Sequence, residues 1–302
     1  MTIAYLGPAG TFTETAARLV TGGEDDLTAR DDITDVLAAV ESDDVERGLV
    51  PIENTLEGSV TATLDALAFD HDLLIEAELE LPVTLVCAAR PGTTLGTATV
   101  ARSHPVALSA CRRWLAHNAP SAERIASAST ARAAEQITDG EIAIVNPLAA
   151  ERYGLEVLAS NIADHPGNST RFIVVGKKVP PPTGWDKTSA VVFIEENRPG
   201  ALLKLLEIVA ERDLTLPQIE SRPTKAELGN YCFFLDVEGH LADERVGDAL
   251  AAVKRTHRDV KVLGSYRRSG ARRTDEAARI AADDEAYRSA ATWLARWRDR
   301  IG

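Results

Sequence analysis

The stretch Ile3-Ala4-Tyr5-Leu6-Gly7-Pro8-Ala9-Gly10-Thr11-Phe12-Thr13-Glu14 decides the fold class. A short apolar run breaks at a glycine turn and gives way to helix-spaced apolar residues at Ala16, Ala17, Leu19 and Val20. Strand, turn and helix in that order open an α/β domain. Such a turn aims backbone N–H groups from the helix start into the space above the strand, where an anion is stabilised. The glycines match neither the dinucleotide fingerprint nor a Walker loop, so no nucleotide is implied. Thr11 keeps two readings, helix cap and ligand contact.

The same alternation continues along the chain. A helix over 33–40 leads to a strand over 48–52, and Glu53-Asn54-Thr55 follows at its carboxyl end, where open α/β sheets place ligands, with a surface turn and Ser59 as helix cap as the reading the stretch alone favours. Strand-like runs at 73–80 and 81–89 lead into a second lobe. That lobe reads as strand 97–101, helix 106–118, strand 124–126, helix 130–138 and strand 141–145. Arg102-Ser103-His104-Pro105 is either a cleft loop or punctuation before a helix, and with no acid nearby in sequence it is a poor nucleophilic triad. Gly167-Asn168-Ser169-Thr170-Arg171-Phe172 then enters a returning strand. A Thr beside an Arg suits proton donation to an anion held by that Arg, with a turn beside a core strand as the alternative.

Val179-Pro180-Pro181-Pro182-Thr183-Gly184 reads as a stiff linker. Beyond it come strand 189–194, Arg198-Pro199-Gly200, a helix over 201–212 with its stripe at Leu202, Leu205, Leu206 and Val209, strand 214–222, a turn over 227–230, strand 231–237, helix 244–254 and strand 260–263. That βαββαβ order is ferredoxin-like. In the tail, Arg267, Arg268, Arg272 and Arg273 precede a helical run whose Tyr287, Leu294 and Trp297 form one face, fit for an oligomer contact or self-docking.

A length of 302 residues suits two domains. With 33 Lys and Arg against 46 Asp and Glu, the net charge of −13 argues against nucleic acid or an anionic membrane as partner. The N-terminus has no basic region and no apolar stretch reaches spanning length, so a soluble cytoplasmic protein is expected. Cys87, Cys111 and Cys232 are far apart and outside any C-x-x-C pattern, which suggests buried, reduced packing residues rather than disulfides or zinc.

Taken together, Tyr5-Leu6-Gly7-Pro8-Ala9-Gly10-Thr11-Phe12, Pro51-Ile52-Glu53-Asn54-Thr55, Ser103-His104-Pro105, Asn168-Ser169-Thr170-Arg171-Phe172 and Glu220-Ser221-Arg222-Pro223 resemble the prephenate dehydratase family with a C-terminal ACT regulatory domain. The resemblance implies a two-lobed, periplasmic-binding-protein-like α/β catalytic domain over 1–178, with lobe one about 1–76 plus 162–178 and lobe two about 77–161. It also implies an α+β ACT domain over 187–266 and a helical tail over 267–302. The implied activity is that of a carbon–oxygen lyase, decarboxylating and dehydrating prephenate to phenylpyruvate. It implies catalytic roles for Thr170, Glu53 and Asn54, and substrate contacts from Arg171, Thr11, Ser103, Phe172 and Asn168. Phenylalanine as effector would meet Gly200, Ala201, Leu202, Glu220, Ser221 and Arg222 in a homo-oligomer, dimer or tetramer.

Aromatisation of the ring drives the reaction, so neither cofactor nor metal is expected. A threonine hydroxyl is too weakly acidic to act alone, so Thr170 is expected to be a positioned donor or relay. Glu53 is either the ultimate proton source or a structural carboxylate. Asn54 and Ser103 are assigned to orientation. Two departures from the family stand out: Val106 and Ala110 occupy positions where the family carries glutamines, and Thr215-Leu216-Pro217-Gln218 lacks a ligand-binding asparagine. An arogenate dehydratase and a non-catalytic two-lobed ligand sensor are the alternatives.

Overall fold

The structure is a computed structural model describing residues 2–23, 26–194, 199–225, 230–270 and 276–300. Arg198, Arg272, Arg273 and the 227–229 part of the expected turn lie outside the described residues.

The first lobe is built from β1 (Ile3–Leu6), α1 (Phe12–Thr21), β2 (Leu27–Arg30), α2 (Ile33–Glu41), β3 (Arg47–Asn54), the two-residue β4 (Gly58–Ser59) and α3 (Thr61–Asp65). A π-helical turn over Ala66–Asp70 and β5 (Leu74–Pro82) follow. The second lobe holds β6 (Val86–Ala89), β7 (Val100–Ser103), α4 (Pro105–Ala110), α5 (Arg112–Asn118), β8 (Glu123–Ala126), α6 (Thr130–Gln136), β9 (Glu141–Val145), α7 (Pro147–Arg152) and β10 (Glu156–Ser160). The chain then returns through β11 (Ser169–Gly176).

Two sheets result. One has the order β2-β1-β3-β11-β5 with β4 on β3, and the other β10-β6-β9-β7-β8. β1 runs parallel to both β2 and β3, and a parallel strand is covered on both faces, which is why Ile3, Ala4, Leu49 and Val50 are fully buried. In the second lobe Cys87, Ala101, Cys111, Leu115, Ile142 and Ile144 share one core.

Several boundaries differ from the sequence pattern for local reasons. β7 starts at Val100 rather than 97 because Thr94 and Thr97 close a turn, with Thr97 N–H donating to Thr94 O at 3.2 Å and their hydroxyls 2.9 Å apart. The expected helix over 106–118 breaks at Cys111, whose backbone leaves the helical region (φ −112°, ψ 20°). β3 extends through Glu53 and Asn54, so both lie on a strand rather than in a loop.

By internal contacts the chain forms two compact units, Met1–Thr63 with Leu79–Val174, and Leu64–Glu78 with Val175–Gly302. The second unit contains β12 (Asp186–Phe193), α8 (Ala201–Ala210), β13 (Gln218–Pro223), β14 (Tyr231–Glu238), α9 (Glu244–Thr256), β15 (Asp259–Arg267) and α10 (Glu276–Arg298). Its sheet order β13-β14-β12-β15 is the ferredoxin-like arrangement. Val192, Leu205, Phe233, Leu235, Ala249 and Val253 pack together as its core. β13 starts four residues later than expected: Pro217 has no N–H to give a ladder, and Leu214 and Leu216 pack on the core instead.

Residues 64–78 are bound into this unit by charge and by close approach. Arg222 Nη2 reaches Asp65 Oδ1 and Oδ2 at 3.0 and 2.9 Å, Lys261 Nζ donates to Leu67 O and His71 O at 2.8 and 2.7 Å, and buried Lys187 pairs with Glu78 at 2.7 Å. Gly264 lies so close that a Cβ there would sit 2.3 Å from Ile75 O. α10 packs against α9, Tyr287 and Leu294 line one cavity with Leu241, and Leu294 and Trp297 are both exposed.

Candidate active site

A cavity of 520 Å³ in the first unit collects residues from the ends of β1, β3 and β11 and from the starts of α1, α4 and α6. Its polar centre is a contact across the ends of two neighbouring strands. Asn54, ending β3, donates through Nδ2 to Thr170 Oγ1 of β11 at 2.9 Å, to Asn168 Oδ1 at 3.0 Å and to Ser169 O at 3.2 Å. Asn54 Oδ1 accepts from the Leu56 and Glu57 N–H groups at 2.9 and 3.3 Å, which fixes the carboxamide's orientation. Asn168 is held in turn by the Thr55 hydroxyl at 3.1 Å.

A hydroxyl has one proton and two lone pairs. With the Asn54 amide occupying an acceptor position, the Thr170 proton points elsewhere, and among the described residues no acceptor takes it. The pair therefore presents a donor to the cavity, which both side chains line.

Side chains alternate along a strand, so the neighbours of this pair face the other way. Arg171 Nε donates to Glu53 Oε2 at 3.0 Å, and neither residue is among those lining the cavity. The ion pair braces β3 against β11 beside the Asn54–Thr170 contact. Ser103 also lies away from the cavity: it is fully buried and donates to Ile144 O at 2.5 Å, while His104, next in sequence, does line it. Thr11, Asn168 and Phe172 line the cavity as well, Phe172 as a buried apolar wall.

For Thr11 the cap is made: its Oγ1 accepts the Glu14 N–H at 3.3 Å and donates to Leu6 O at 3.3 Å, without removing the residue from the cavity wall. The turn before it is clamped. Gly10 has φ +89°, a conformation that favours glycine, and a Cβ there would stand 3.5 Å from Ala131 and Ala149 of the second lobe. Its N–H donates to buried Glu14 Oε2 at 2.5 Å, and its carbonyl accepts from Asn146 Nδ2 at 2.9 Å. Glu14 also accepts from Arg18 at 2.6 Å and from Arg152 at 2.5 Å, so one carboxylate ties α1 to α7. Burial opposes its ionisation, but the Gly10 N–H and the Arg18 and Arg152 guanidinium groups outweigh that and hold the carboxyl below its ordinary range. Burial, reinforced by the Glu14 charge, pushes the Tyr5 hydroxyl up to about 12.

Val106 and Ala110 line the cavity, so the positions where amides were expected do face it and are apolar here. Sequence reasoning passed over three charged lining residues, Asp31, Glu57 and Arg132. The signal for Arg132 was present in Ser129-Thr130-Ala131-Arg132, a capped helix start whose first turn faces the same space as the α1 start. Among the described residues no group of His, Cys, Asp and Glu side chains has the arrangement of a metal site.

In the second unit Gly200, Ala201 and Leu202 line a separate 340 Å³ cavity with Ile194 and Phe233. Glu220, Ser221 and Arg222 of β13 are not among its lining residues, and Arg222 is engaged by Asp65.

Comparison with known proteins is consistent across the whole chain. The family model for prephenate dehydratase matches residues 3–180 and that for the ACT domain residues 188–255. Prephenate dehydratase of Mycolicibacterium vanbaalenii is 44% identical over 282 residues, covering 87% of this chain and 90% of that protein. The crystal structure of prephenate dehydratase from Arthrobacter aurescens in complex with L-Phe is 38% identical, with a TM-score of 0.89 over 99% of this chain and 100% of that one. GqqA, described as a novel type of quorum quenching acylase, is 27% identical, with a TM-score of 0.80 over 90% of this chain and 100% of its own.

Proposed function

The chain belongs to the prephenate dehydratase family, with an ACT domain appended, and we propose that its 520 Å³ cavity is where prephenate loses carbon dioxide and water to give phenylpyruvate. A similar architecture also serves a protein described as an acylase, so the fold alone does not fix the activity and the support comes from the residues lining the cavity.

The observation that carries the reading is the Asn54 Nδ2 to Thr170 Oγ1 bond of 2.9 Å. As the ring carboxylate leaves as carbon dioxide, its bonding electrons enter the ring and the ring hydroxyl departs. One proton must reach that oxygen for it to leave as water. Thr170, with one lone pair occupied by the Asn54 amide and its proton free, supports a role as the hydrogen-bond donor to that oxygen, a contact that strengthens as negative charge develops there. Asn54 and Asn168 position it, Thr11 and Phe172 shape the wall, and Glu53 with Arg171 supports the strand ends from the opposite face.

Thr170→Ala is expected to lower kcat by about 10²- to 10⁴-fold while leaving thermal unfolding unchanged, and Thr170→Ser to recover part of the loss. Prephenate turnover by Thr170→Ala at the wild-type rate refutes the assignment.

For the ACT unit, the Arthrobacter relative with bound L-Phe and the cavity at Gly200, Ala201 and Leu202 support phenylalanine as effector. Exposed Leu202 and Leu203 beside that cavity support completion of the site by a second copy of the chain in a dimer or tetramer. An effector acts only by binding one state more tightly than another. Phenylalanine is therefore expected to release heat in calorimetry and to shift the assembly in sedimentation. Absence of both at millimolar phenylalanine removes this part of the reading.

A further inference from the structure

We propose that Arg132, on the first turn of α6, holds a carboxylate of the substrate, an inference that rests on the assignment of the cavity to prephenate. The substrate is a dianion, and the cavity already presents the Asp31 and Glu57 carboxylates. A dianion entering such a space needs a cation. Among the described lining residues Arg132 is the sole arginine or lysine. Arg171, the cation that the sequence places beside Thr170, is 12% exposed, is spent on Glu53 and lies off the cavity wall.

Arg132 is also free to change partners. Its ion pair with Glu135, Nη1 to Oε2 at 2.5 Å, lies one helical turn along α6 with the two side chains 51% and 44% exposed. A pair this exposed to water and salt contributes little, so Glu135 is readily exchanged for a substrate carboxylate. A guanidinium offers paired N–H donors that match a carboxylate. The backbone under Arg132 is fixed, since Ser129 caps the helix by accepting the Arg132 N–H at 3.0 Å. The geometry thus divides the work: the ends of β3 and β11 address the departing hydroxyl, and the α6 turn anchors charge.

The test is steady-state kinetics of the full chain on prephenate at low and high salt, with wild type, Arg132→Ala, Arg132→Lys and Glu135→Gln. Arg132→Ala is expected to raise KM roughly 10- to 100-fold with kcat largely kept, because the contact is made in both the bound and the transition state. Arg132→Lys recovers part of the affinity. Glu135→Gln removes the competing carboxylate and leaves KM unchanged or lower. For wild type KM is expected to rise with salt, and in Arg132→Ala that rise is expected to be lost. If the two residues serve only as a helix surface pair, Arg132→Ala and Glu135→Gln behave alike, and that result overturns the proposal. Wild-type turnover with an unchanged KM in Arg132→Ala overturns this inference alone. Absence of prephenate turnover by wild type overturns the cavity assignment and this inference with it.

Discussion

At the scale of single residues, the direction of one hydrogen bond matters more than the presence of either partner. Asn54 donates to Thr170 Oγ1, which leaves the hydroxyl proton for the cavity. Asn54→Asp keeps the shape and reverses the polarity: a carboxylate there accepts the Thr170 proton. A fall in kcat of about 10²-fold or more, with little change in unfolding temperature, is the expected outcome in steady-state assays beside thermal melts. The cysteines make a contrasting case. Burial alone pushes the Cys87 thiol up to about 12, and burial with the nearby Asp164 charge does the same for Cys111. Thiolate is the reactive form, so a thiol reagent at pH 8 should leave both unlabelled in the native protein and label both after denaturation. Labelling of the folded chain at either position counts against the buried placement.

At the scale of elements, the α1 turn shows what was legible in sequence and what was not. Strand, turn and helix were readable because Ile3 to Leu6 is an unbroken apolar run, and Gly7 and Gly10 interrupt it before a helix-spaced pattern. The βαββαβ order was equally readable. The facing of side chains was less so. Extending β3 through Asn54 puts Glu53 and Arg171 on one side of the sheet and Asn54 and Thr170 on the other, and a motif that looks contiguous is split by strand alternation. Nor does local pattern reveal that Glu14, a first-turn residue, meets Arg152 from a distant helix. The Glu14 carboxyl is held below its usual range in the folded state, so its contribution to stability is present above the ordinary carboxylate value of 4.5 and is lost as pH falls through the lower folded value. Glu14→Gln should therefore weaken the protein at neutral pH and flatten the acid limb of its stability profile in denaturant titrations. At the alkaline end, the raised Tyr5 value means stability declines as pH climbs from 10 toward about 12, and Tyr5→Phe should remove that part of the decline.

At the scale of the whole molecule, the proline-rich segment looks in sequence like the natural place to divide the chain, yet the compact units do not divide there. Residues 64–78 precede that segment by a hundred positions and belong by contact with residues 175–302. Gly264 shows how closely they fit, since a Cβ would meet Ile75 O at 2.3 Å. Gly264→Ala should cost about 1–3 kcal/mol as an overpacking change, seen as a lowered unfolding midpoint. A fragment ending near residue 182 would keep every residue lining the 520 Å³ cavity and still lose the Arg222 partner of Asp65, the Lys187 partner of Glu78 and the Lys261 donor to Leu67 and His71. Such a fragment strands carboxylates and backbone carbonyls that had been taken out of water against cations. A gene encoding only the first 182 codons thus specifies every residue of the cavity wall but leaves residues 64–78 without the partners their own unit supplies.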